Sequence, residues 1–393
     1  MMDRNIFEEE HEMFRDAARS FLINEIQPHV DRWAEEEIVD REAFLKAGEQ
    51  GLLCMWADEK YGGAGVSDFR YEQILLEENA RYGDVGFFIF LHSRLVAPYI
   101  GALGTDEQKE RWLPKCVSGE SILAIAMTEP GAGSDLSAIR TKAEDKGDYY
   151  LLNGSKTFIS NGILGDLVIV AAKTDPNSSH GISLFVVERG MEGFERGKNF
   201  KKMGMHSQDT SEMFFNNVKV PKENLLGELN RGFYHLMHHL AEERLLSAVG
   251  ALANAEAAFA VTMEYVNERK VFGRKIAEFQ VNRFKLADMR MEMDVAQAFI
   301  DRCVTVHNAA GLSAEDAAKA KLFTTELEDR VTDQCVQLHG GNGYMDEYPV
   351  SRMYTAARVS RIYAGSSEIM REIIARSIGL DPRKKKEPRA DAA

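Results

Sequence analysis

The stretch Tyr149-Tyr150-Leu151-Leu152-Asn153-Gly154-Ser155-Lys156-Thr157-Phe158-Ile159-Ser160 decides the fold class of this 393-residue chain. Two apolar and β-forming runs flank Asn153-Gly154, a dipeptide that favours the two-residue turn of a β-hairpin. Three further apolar runs, at 167–170, 182–187 and 212–215, are typical of strands. We therefore predict a hairpin within 149–160 and a β-sheet region around it.

Helical patterns lie on both sides of this sheet region, and the later ones are rich in alanine and leucine. Helices, then strands, then helices predict an α+β fold. The division is an N-terminal α-helical domain at 1–123, a middle β-domain at 124–235, a C-terminal helical domain at 236–380 and a disordered basic tail at 381–393. Since the strands do not alternate with helices, a doubly wound nucleotide-binding fold is not expected.

Composition and charge narrow the class of protein. A formal net charge of −14 argues against nonspecific nucleic-acid binding, which needs a basic surface. The four cysteines are scattered without CxxC spacing and are expected to be reduced, buried thiols of an intracellular protein. The acidic N-terminus is unlike a targeting segment, and no apolar run reaches the ~20 residues that stable membrane insertion requires. A bacterial cytoplasmic protein is expected, or a mitochondrial-matrix protein if the chain is a processed eukaryotic one.

One predicted helix carries a carboxylate on an otherwise apolar face. On a helix that begins near Gly232, one face presents Glu243 together with apolar or small residues, and that face ends at the polar Asn254. Its other members are Leu236, Leu240, Ser247 and Gly250. From the residues alone, Glu243 is either a buried ion-pair partner or a general base.

A second cluster on the same helix suggests a metal site as an alternative. His235, His239 and Glu242 follow one another at i, i+4 and i+7, with His238 close by, and such residues can bind a divalent cation. No additional ligand cluster is evident, so a polar helix flank is the better interpretation and no metal is predicted.

Five segments resemble, in order, those of the acyl-CoA dehydrogenase family. They are 126–135, 156–162, 268–273 with Gln280, 337–344 and 366–368, and the resemblance extends over nearly the whole chain. The first has neither a P-loop nor a dinucleotide-binding pattern. The resemblance implies a middle domain like a β-barrel, a C-terminal four-helix bundle and FAD as cofactor. It also implies an acyl-CoA substrate, a homotetramer and electron-transferring flavoprotein as electron acceptor.

The resemblance also implies roles for individual residues. Ser134, Arg244 and Gly365 are expected to contact the substrate, and Phe158 stands where many relatives carry tryptophan. The residues expected to bind the cofactor are Ile125, Ala126, Met127, Thr128, Gly133, Ser134, Phe158, Ile159, Ser160, Arg269, Phe272, Gln280, Gln337, Leu338, His339, Gly340, Gly341, Ser366, Ser367 and Glu368.

The position of the catalytic base points to one branch of the family. Many members carry this glutamate at the position of Ala364, whereas the isovaleryl and long-chain branch places it before a helical arginine, as in Glu243-Arg244. Ala364 keeps a backbone N–H, which in the family polarises the thioester carbonyl. An aspartate often found two positions before the base is Ala241 here.

The resemblance therefore predicts oxidation of a long-chain-like acyl-CoA to a trans-2-enoyl-CoA, and 201–210 and 368–376 are similar to the long-chain enzyme. The alternatives are a branched-chain or isoprenoid acyl-CoA dehydrogenase, an oxygen-using flavin oxidase, and a flavin- or acyl-CoA-binding protein without turnover.

Overall fold

A computed structural model describes residues 4–381 of the chain. It has helices, then a sheet, then helices, which confirms the α+β fold class. The helices are α1 Glu9–Phe21, α2 Val30–Glu36, α3 Arg41–Glu49, α4 Phe69–Tyr82, α5 Ala97–Leu103, α6 Asp106–Val117, α7 Gly232–Glu268, α8 Gln280–Ala310, α9 Ala314–His339, α10 Pro349–Ala357 and α11 Ser367–Ser377.

The middle of the chain forms an eight-stranded sheet. The strands are β1 Leu123–Ala126, β2 Lys142–Asp145, β3 Tyr149–Ser160, β4 Leu167–Lys173, β5 Ile182–Glu188, β6 Phe194–Asn199, β7 Thr210–Pro221 and β8 Leu225–Leu226. Their order in the sheet is β6-β7-β3-β2-β4-β5-β8, with β1 paired parallel to β4. The three apolar runs predicted as strands lie in β4, β5 and β7. A separate two-stranded hairpin joins β9 Lys270–Val271 to β10 Arg274–Lys275.

The predicted hairpin at Asn153-Gly154 is wrong, because β3 runs without a turn through both residues. The pairing of β3 with β7 shifts there instead, so that Leu152 faces Val218 while Gly154 faces Phe215. The Asn153 side chain accepts a hydrogen bond from the backbone N–H of Asn217 at 2.9 Å. Asn153 therefore lies opposite a bulge in β7, formed by Asn216 and Asn217.

The hairpin that the structure contains lies earlier in the chain than the predicted one, between β2 and β3. Strands β2 and β3 pair antiparallel across residues 146–148, where the Lys146 N–H donates to the Tyr149 carbonyl oxygen at 2.9 Å. Gly147 has a φ of 93° in this turn. Gly147 and Gly154 are both compatible with a turn. Because β3 pairs with β7 through Gly154, the turn forms at Gly147.

The C-terminal helices form the largest apolar core. Helix α9 packs against α7, α8, α10 and α11, and α4 from the N-terminal region joins them against α7. Among the described residues, α7 alone is long and apolar enough to cross a membrane, yet 67% of its most apolar window is buried inside the molecule. This is the burial expected of a core helix.

Domain boundaries stay a proposal. Helix α7 begins at Gly232, so the predicted division at 235 falls in its first turn. The predicted basic tail lies outside the described residues apart from position 381. All four cysteines are free and buried.

We expect Gly154→Ala to lower the free energy of unfolding by about 2 kcal/mol, because overpacking adds to backbone strain. Gly154 has a φ of 148°, and a Cβ there would lie 2.5 Å from the Thr141 hydroxyl oxygen and 2.7 Å from the Thr141 Cα. Gly147→Ala is the control, since its φ is also positive but no atom lies within 4 Å of its added Cβ. Urea unfolding followed by fluorescence measures both, and equal losses would contradict the packing argument.

Candidate active site

The carboxyl of Glu243 lies on the buried face of α7, and the residue is only 9% exposed. Burial raises its pKa to about 7, because desolvation disfavours the charged form, while the positive charges of Arg244 and Lys321 act in the opposite direction. The charge of Glu243 in turn adds to the burial that raises the Tyr99 pKa. Glu243 is therefore a carboxyl in a dry site that titrates near neutrality.

The loop between α10 and α11 comes close to this carboxyl through Arg244. A Cβ added to Gly365 would lie 3.9 Å from the Arg244 Nε, a buried atom without a hydrogen-bond partner in the described residues. Ala364 and Gly365 both have a positive φ, 52° and 96°. The structure thus brings Arg244 close to Gly365, and Glu243 and Ala364 are their neighbours in the sequence.

Lys321 on α9 belongs to the same site, and the sequence reasoning missed it. Its side chain is fully buried, and its Nζ donates to the Gly365 carbonyl oxygen at 2.8 Å. Burial and the nearby Arg244 lower the pKa of Lys321 to about 8. The sequence nevertheless contains a signal for a buried lysine. Lys321 ends the alanine-rich segment Ala317-Ala318-Lys319-Ala320-Lys321, and the apolar face of such a helical segment is expected to be buried.

A partly open cleft begins one helical turn beyond Glu243 and encloses a cavity of about 30 Å³. Ser247, Gly250 and Asn254 of the predicted α7 face line this cleft, and Leu246 lies beside them. The other lining residues are Leu76, Asn79, Ala80, Val85, Phe88, Phe90, Met205, Glu328, Ala356, Ser360 and Tyr363. Most of this wall is apolar.

The first glycine loop follows β1 and is tied to β3. The N–H of Thr157 donates to the Thr128 carbonyl oxygen at 3.0 Å, and Glu129 and Ala132 exchange two backbone hydrogen bonds. A Cβ added to Gly131 or Gly133 would meet no atom within 4 Å. One side of this loop is therefore open. Ser134 is exposed, and Ile125, Met127 and Thr128 are half-buried.

Phe158 is turned out of the sheet, with a φ of 59° and 68% of its surface exposed. The register of β3 shifts between Lys156 and Ile159, which makes this turn possible. Its ring centroid lies 5.6 Å from that of Phe200, and half-buried Ser160 ends the strand. The side chains of Ala126 and Ile159 are buried in the sheet core, so only their backbone could reach a ligand.

The residues assigned to the far half of a cofactor lie on the β9–β10 hairpin and around the C-terminus of α9. Phe272 at the hairpin tip is 97% exposed. Exposed with it are Arg269, Gln280, Gln337, Gly340 and Gly341. Leu338 and His339 are buried instead, and the His339 ring stacks on Tyr265 at 4.2 Å, so these two serve the packing of α9.

Ser366, Ser367 and Glu368 begin helix α11. The Ser366 hydroxyl oxygen caps the helix by accepting from the Ile369 N–H at 3.5 Å, and Ser367 is buried. Hydrogen bonds with its own backbone N–H and with Ser366 lower the pKa of exposed Glu368. Helix α11 therefore begins directly after the loop that carries Ala364 and Gly365.

Two of the suggested metal ligands on α7, Glu242 and His239, have other partners, whereas the buried Nε2 of His235 has no hydrogen-bond partner in the described residues. Glu242 accepts from Arg94 Nε at 2.6 Å and lies 3.0 Å from His307 Nε2, and the His239 ring packs 4.3 Å from Tyr99. Among the described residues, the group of ligand atoms close enough to share a metal ion is Glu8, Glu10 and His11, near the N-terminus.

Comparisons with known proteins agree with this architecture. The family models for the acyl-CoA dehydrogenase N-terminal, middle and C-terminal domains match residues 8–120, 124–218 and 230–379. The long-chain specific acyl-CoA dehydrogenase, mitochondrial, of Rattus norvegicus is 48% identical over 381 residues, covering 96% of this chain and 88% of the relative.

Solved structures match over almost the whole chain. An acyl-CoA dehydrogenase from Geobacillus kaustophilus superposes with a TM-score of 0.93 at 49% identity, covering 95% of this chain and 99% of the other. A glutaryl-CoA dehydrogenase from Mycobacterium smegmatis in complex with FADH2 gives 0.90 at 28% identity, with 97% of each chain covered. Fold and matches together define a flavoprotein oxidoreductase. More narrowly, the chain belongs to the acyl-CoA dehydrogenase family.

A buried ion pair holds the open glycine loop, and Lys156→Met tests it. Lys156 is fully buried and donates to Glu129 Oε1 at 2.8 Å and to the Met127 carbonyl oxygen at 2.9 Å. We expect this substitution to cost about 3 kcal/mol of stability, because it leaves the Glu129 carboxylate buried and unpaired.

The double variant Lys156→Met/Glu129→Gln recovers part of that loss, since the buried charge is then gone. The exposed pair Lys142–Glu144 supplies the control, and Lys142→Met costs less than about 1 kcal/mol. Urea unfolding measures the four proteins. Equal losses for the two lysines would show that the buried pair does not hold the loop.

Proposed function

We propose that this protein catalyses the FAD-dependent α,β-dehydrogenation of a long-chain-type fatty acyl-CoA to a trans-2-enoyl-CoA, with Glu243 as the base. One observation carries the proposal: Glu243 is a buried carboxyl that titrates near pH 7, next to Arg244 and one helical turn before a mostly apolar cleft. Removing the weakly acidic α-proton of a thioester needs a base in a dry site, and the acyl chain needs an apolar cavity.

The residues fit FAD as the cofactor. The glycine loop at 131–133 is open on one side, and Phe158 offers an exposed apolar ring face beside it. Thr128, Ser134 and Ser160 supply hydroxyls there, and exposed Arg269 suits a phosphate group. Gly340 and Gly341 leave space for close approach, since no atom lies within 4 Å of an added Cβ at either position. FAD, when bound, accepts the hydride that leaves the β-carbon.

Glu243 removes the α-proton. With a pKa of about 7, roughly half of the carboxyl is ionised at neutral pH, and the ionised half is a stronger base than an exposed glutamate. The neighbouring charges of Arg244 and Lys321 keep the pKa from rising further. The proton thus moves to a group whose neutral form the buried site already favours.

The Ala364 backbone N–H polarises the thioester carbonyl and stabilises the developing enolate charge. Lys321 fixes the next peptide group through its hydrogen bond to Gly365 O, so the loop geometry depends on α9. Arg244 binds the CoA portion of the substrate. Its buried, unpartnered Nε supports this role, because an orphaned guanidinium N–H is costly without a ligand.

A homotetramer and electron transfer to electron-transferring flavoprotein complete the proposal. Helix α8 exposes Val281, Phe284, Met291 and Val295 at helical spacing on one face, and each is more than half exposed. Such a stripe supports burial against another subunit. The location is the bacterial cytoplasm, or the mitochondrial matrix for a processed eukaryotic protein.

Anaerobic titration of the flavin-loaded protein with straight-chain acyl-CoAs of increasing length tests the function. We expect bleaching of the flavin absorption, strongest for long chains. Glu243→Gln is expected to slow bleaching by at least about a thousandfold, because the base is lost while the fold keeps an isosteric amide. Glu264→Gln, an exposed position on the same helix, is the matched control and leaves the rate unchanged. Bleaching of Glu243→Gln at the wild-type rate would remove Glu243 from the mechanism.

The pH profile tests Lys321 as a positioning residue. The base acts as a carboxylate, so kcat/KM of the wild type falls as the pH drops through about 7. The positive charge of Lys321 lowers the Glu243 pKa, so Lys321→Met raises that pKa and moves this limb to higher pH. The lost bond to Gly365 lowers kcat as well.

Lys319→Met, two residues away and partly exposed, is the control with an unchanged profile. A purely structural role for Lys321 predicts lower activity without movement of the limb. That outcome would contradict its coupling to Glu243.

A further inference from the structure

The end of the cleft at Asn254 is polar. The walls are mostly apolar, but Asn254, Glu328 and Ser360 line this end, and Asn79 and Ser247 also contribute polar side chains to the lining. Glu328 is 1% exposed, and its Oε1 accepts from Asn254 Nδ2 at 3.0 Å. Its Oε2 is buried and has no hydrogen-bond partner in the described residues. A plain alkyl chain offers this oxygen no partner, which leaves it only the nearby Ser360 hydroxyl, at a cost in free energy.

The hydrogen-bonding capacity of this end suits a hydroxyl group. Burial raises the pKa of Glu328 to about 8, so at neutral pH the carboxyl is protonated and can donate. The Ser360 hydroxyl lies beside it and donates its own proton to the Ala357 carbonyl oxygen at 2.8 Å, which leaves its oxygen able to accept. A group that both accepts and donates satisfies both partners.

We propose that Glu328, Asn254 and Ser360 form a specificity subsite that accepts a hydroxyl group on the distal part of the acyl chain. The inference rests on the proposed function, and it narrows the substrate class to acyl-CoA thioesters with such a hydroxyl. Glu328 is a specificity-determining residue here and takes no part in the chemistry.

The position of the hydroxyl follows from helix geometry. Glu243 and Asn254 lie on one face of α7, eleven residues apart and therefore about 16 Å apart along the axis. An extended chain covers that length with roughly a dozen carbons, so the hydroxyl belongs in the distal half of a long chain. Polar groups near the thioester would meet the apolar wall instead.

Calorimetric binding of non-reacting S-alkyl-CoA thioethers to the flavin-loaded protein tests the proposal. The ligands have equal length, and a single hydroxyl is moved stepwise along the distal half of the chain. We expect the wild type to bind one hydroxylated isomer about tenfold more tightly than the plain thioether, as one added hydrogen bond in a buried site provides. Flavin bleaching by the corresponding acyl-CoAs follows the same ranking.

Variants at position 328 separate the subsite from a structural role. Glu328→Leu is expected to reverse the preference towards the plain chain, whereas Glu328→Gln keeps most of it, because an amide still donates and accepts. Glu326→Gln, on the same helix and paired with Arg371, is the matched control with the wild-type preference. Flavin content and melting temperature check that each variant is folded.

The proposal is overturned if the wild type binds the plain thioether at least as tightly as every hydroxylated one, or if Glu328→Leu keeps the preference. Failure of the proposed function gives a different result: no acyl-CoA, plain or hydroxylated, bleaches the flavin.

Discussion

The hydrogen bond from Lys321 to the Gly365 carbonyl oxygen joins the two halves of the site. It ties the loop that carries Ala364 to helix α9, which packs against α7 and hence against Glu243. Without this hydrogen bond, no side chain of α9 would fix the conformation of a loop that has two consecutive positive φ angles. The proposed base comes from a core helix and the proposed backbone donor from a strained loop, so their relative position depends on this one buried lysine.

Burial shifts the pKa values of the acidic and the basic side chains of the site in opposite directions. The pKa values of Glu243 and Glu328 rise, and those of Arg244 and Lys321 fall, since desolvation opposes every charge. Helix α9 carries Lys321 and Glu328 two turns apart on one face, as α7 carries Glu243 and Asn254 three turns apart. The two helices therefore place Glu243 near Lys321 outside the cleft, and Asn254 beside Glu328 in its lining.

The sequence predicted what depends on local periodicity and failed where distant contacts decide. The helix of Glu243, its apolar face and the strands β4, β5 and β7 follow from spacing, and the structure has them. The turn at Asn153-Gly154 was predicted wrongly, because pairing of β3 with β7, about sixty residues later, overrides local turn preference. Lys321 was not predicted as a site residue for a related reason. Its Nζ donates to the carbonyl oxygen of Gly365, which lies 44 residues later in the chain, and no local pattern indicates this contact. The roles of the site residues came from family resemblance and stay a proposal.

With Glu243 on α7 as the proposed base, the residue at position 364 has to supply only its backbone N–H. A residue with a φ of 52° pays a conformational cost, which is smaller when no long side chain must also be oriented. With alanine there, the loop has only to present a backbone N–H, and the carboxyl is oriented by a 37-residue helix buried in the largest core. The same helix lines the cleft from Leu246 to Asn254. Any shift of α7 therefore moves the proposed base and this wall of the cleft together, so under the proposed function Glu243 keeps its register with the bound acyl chain.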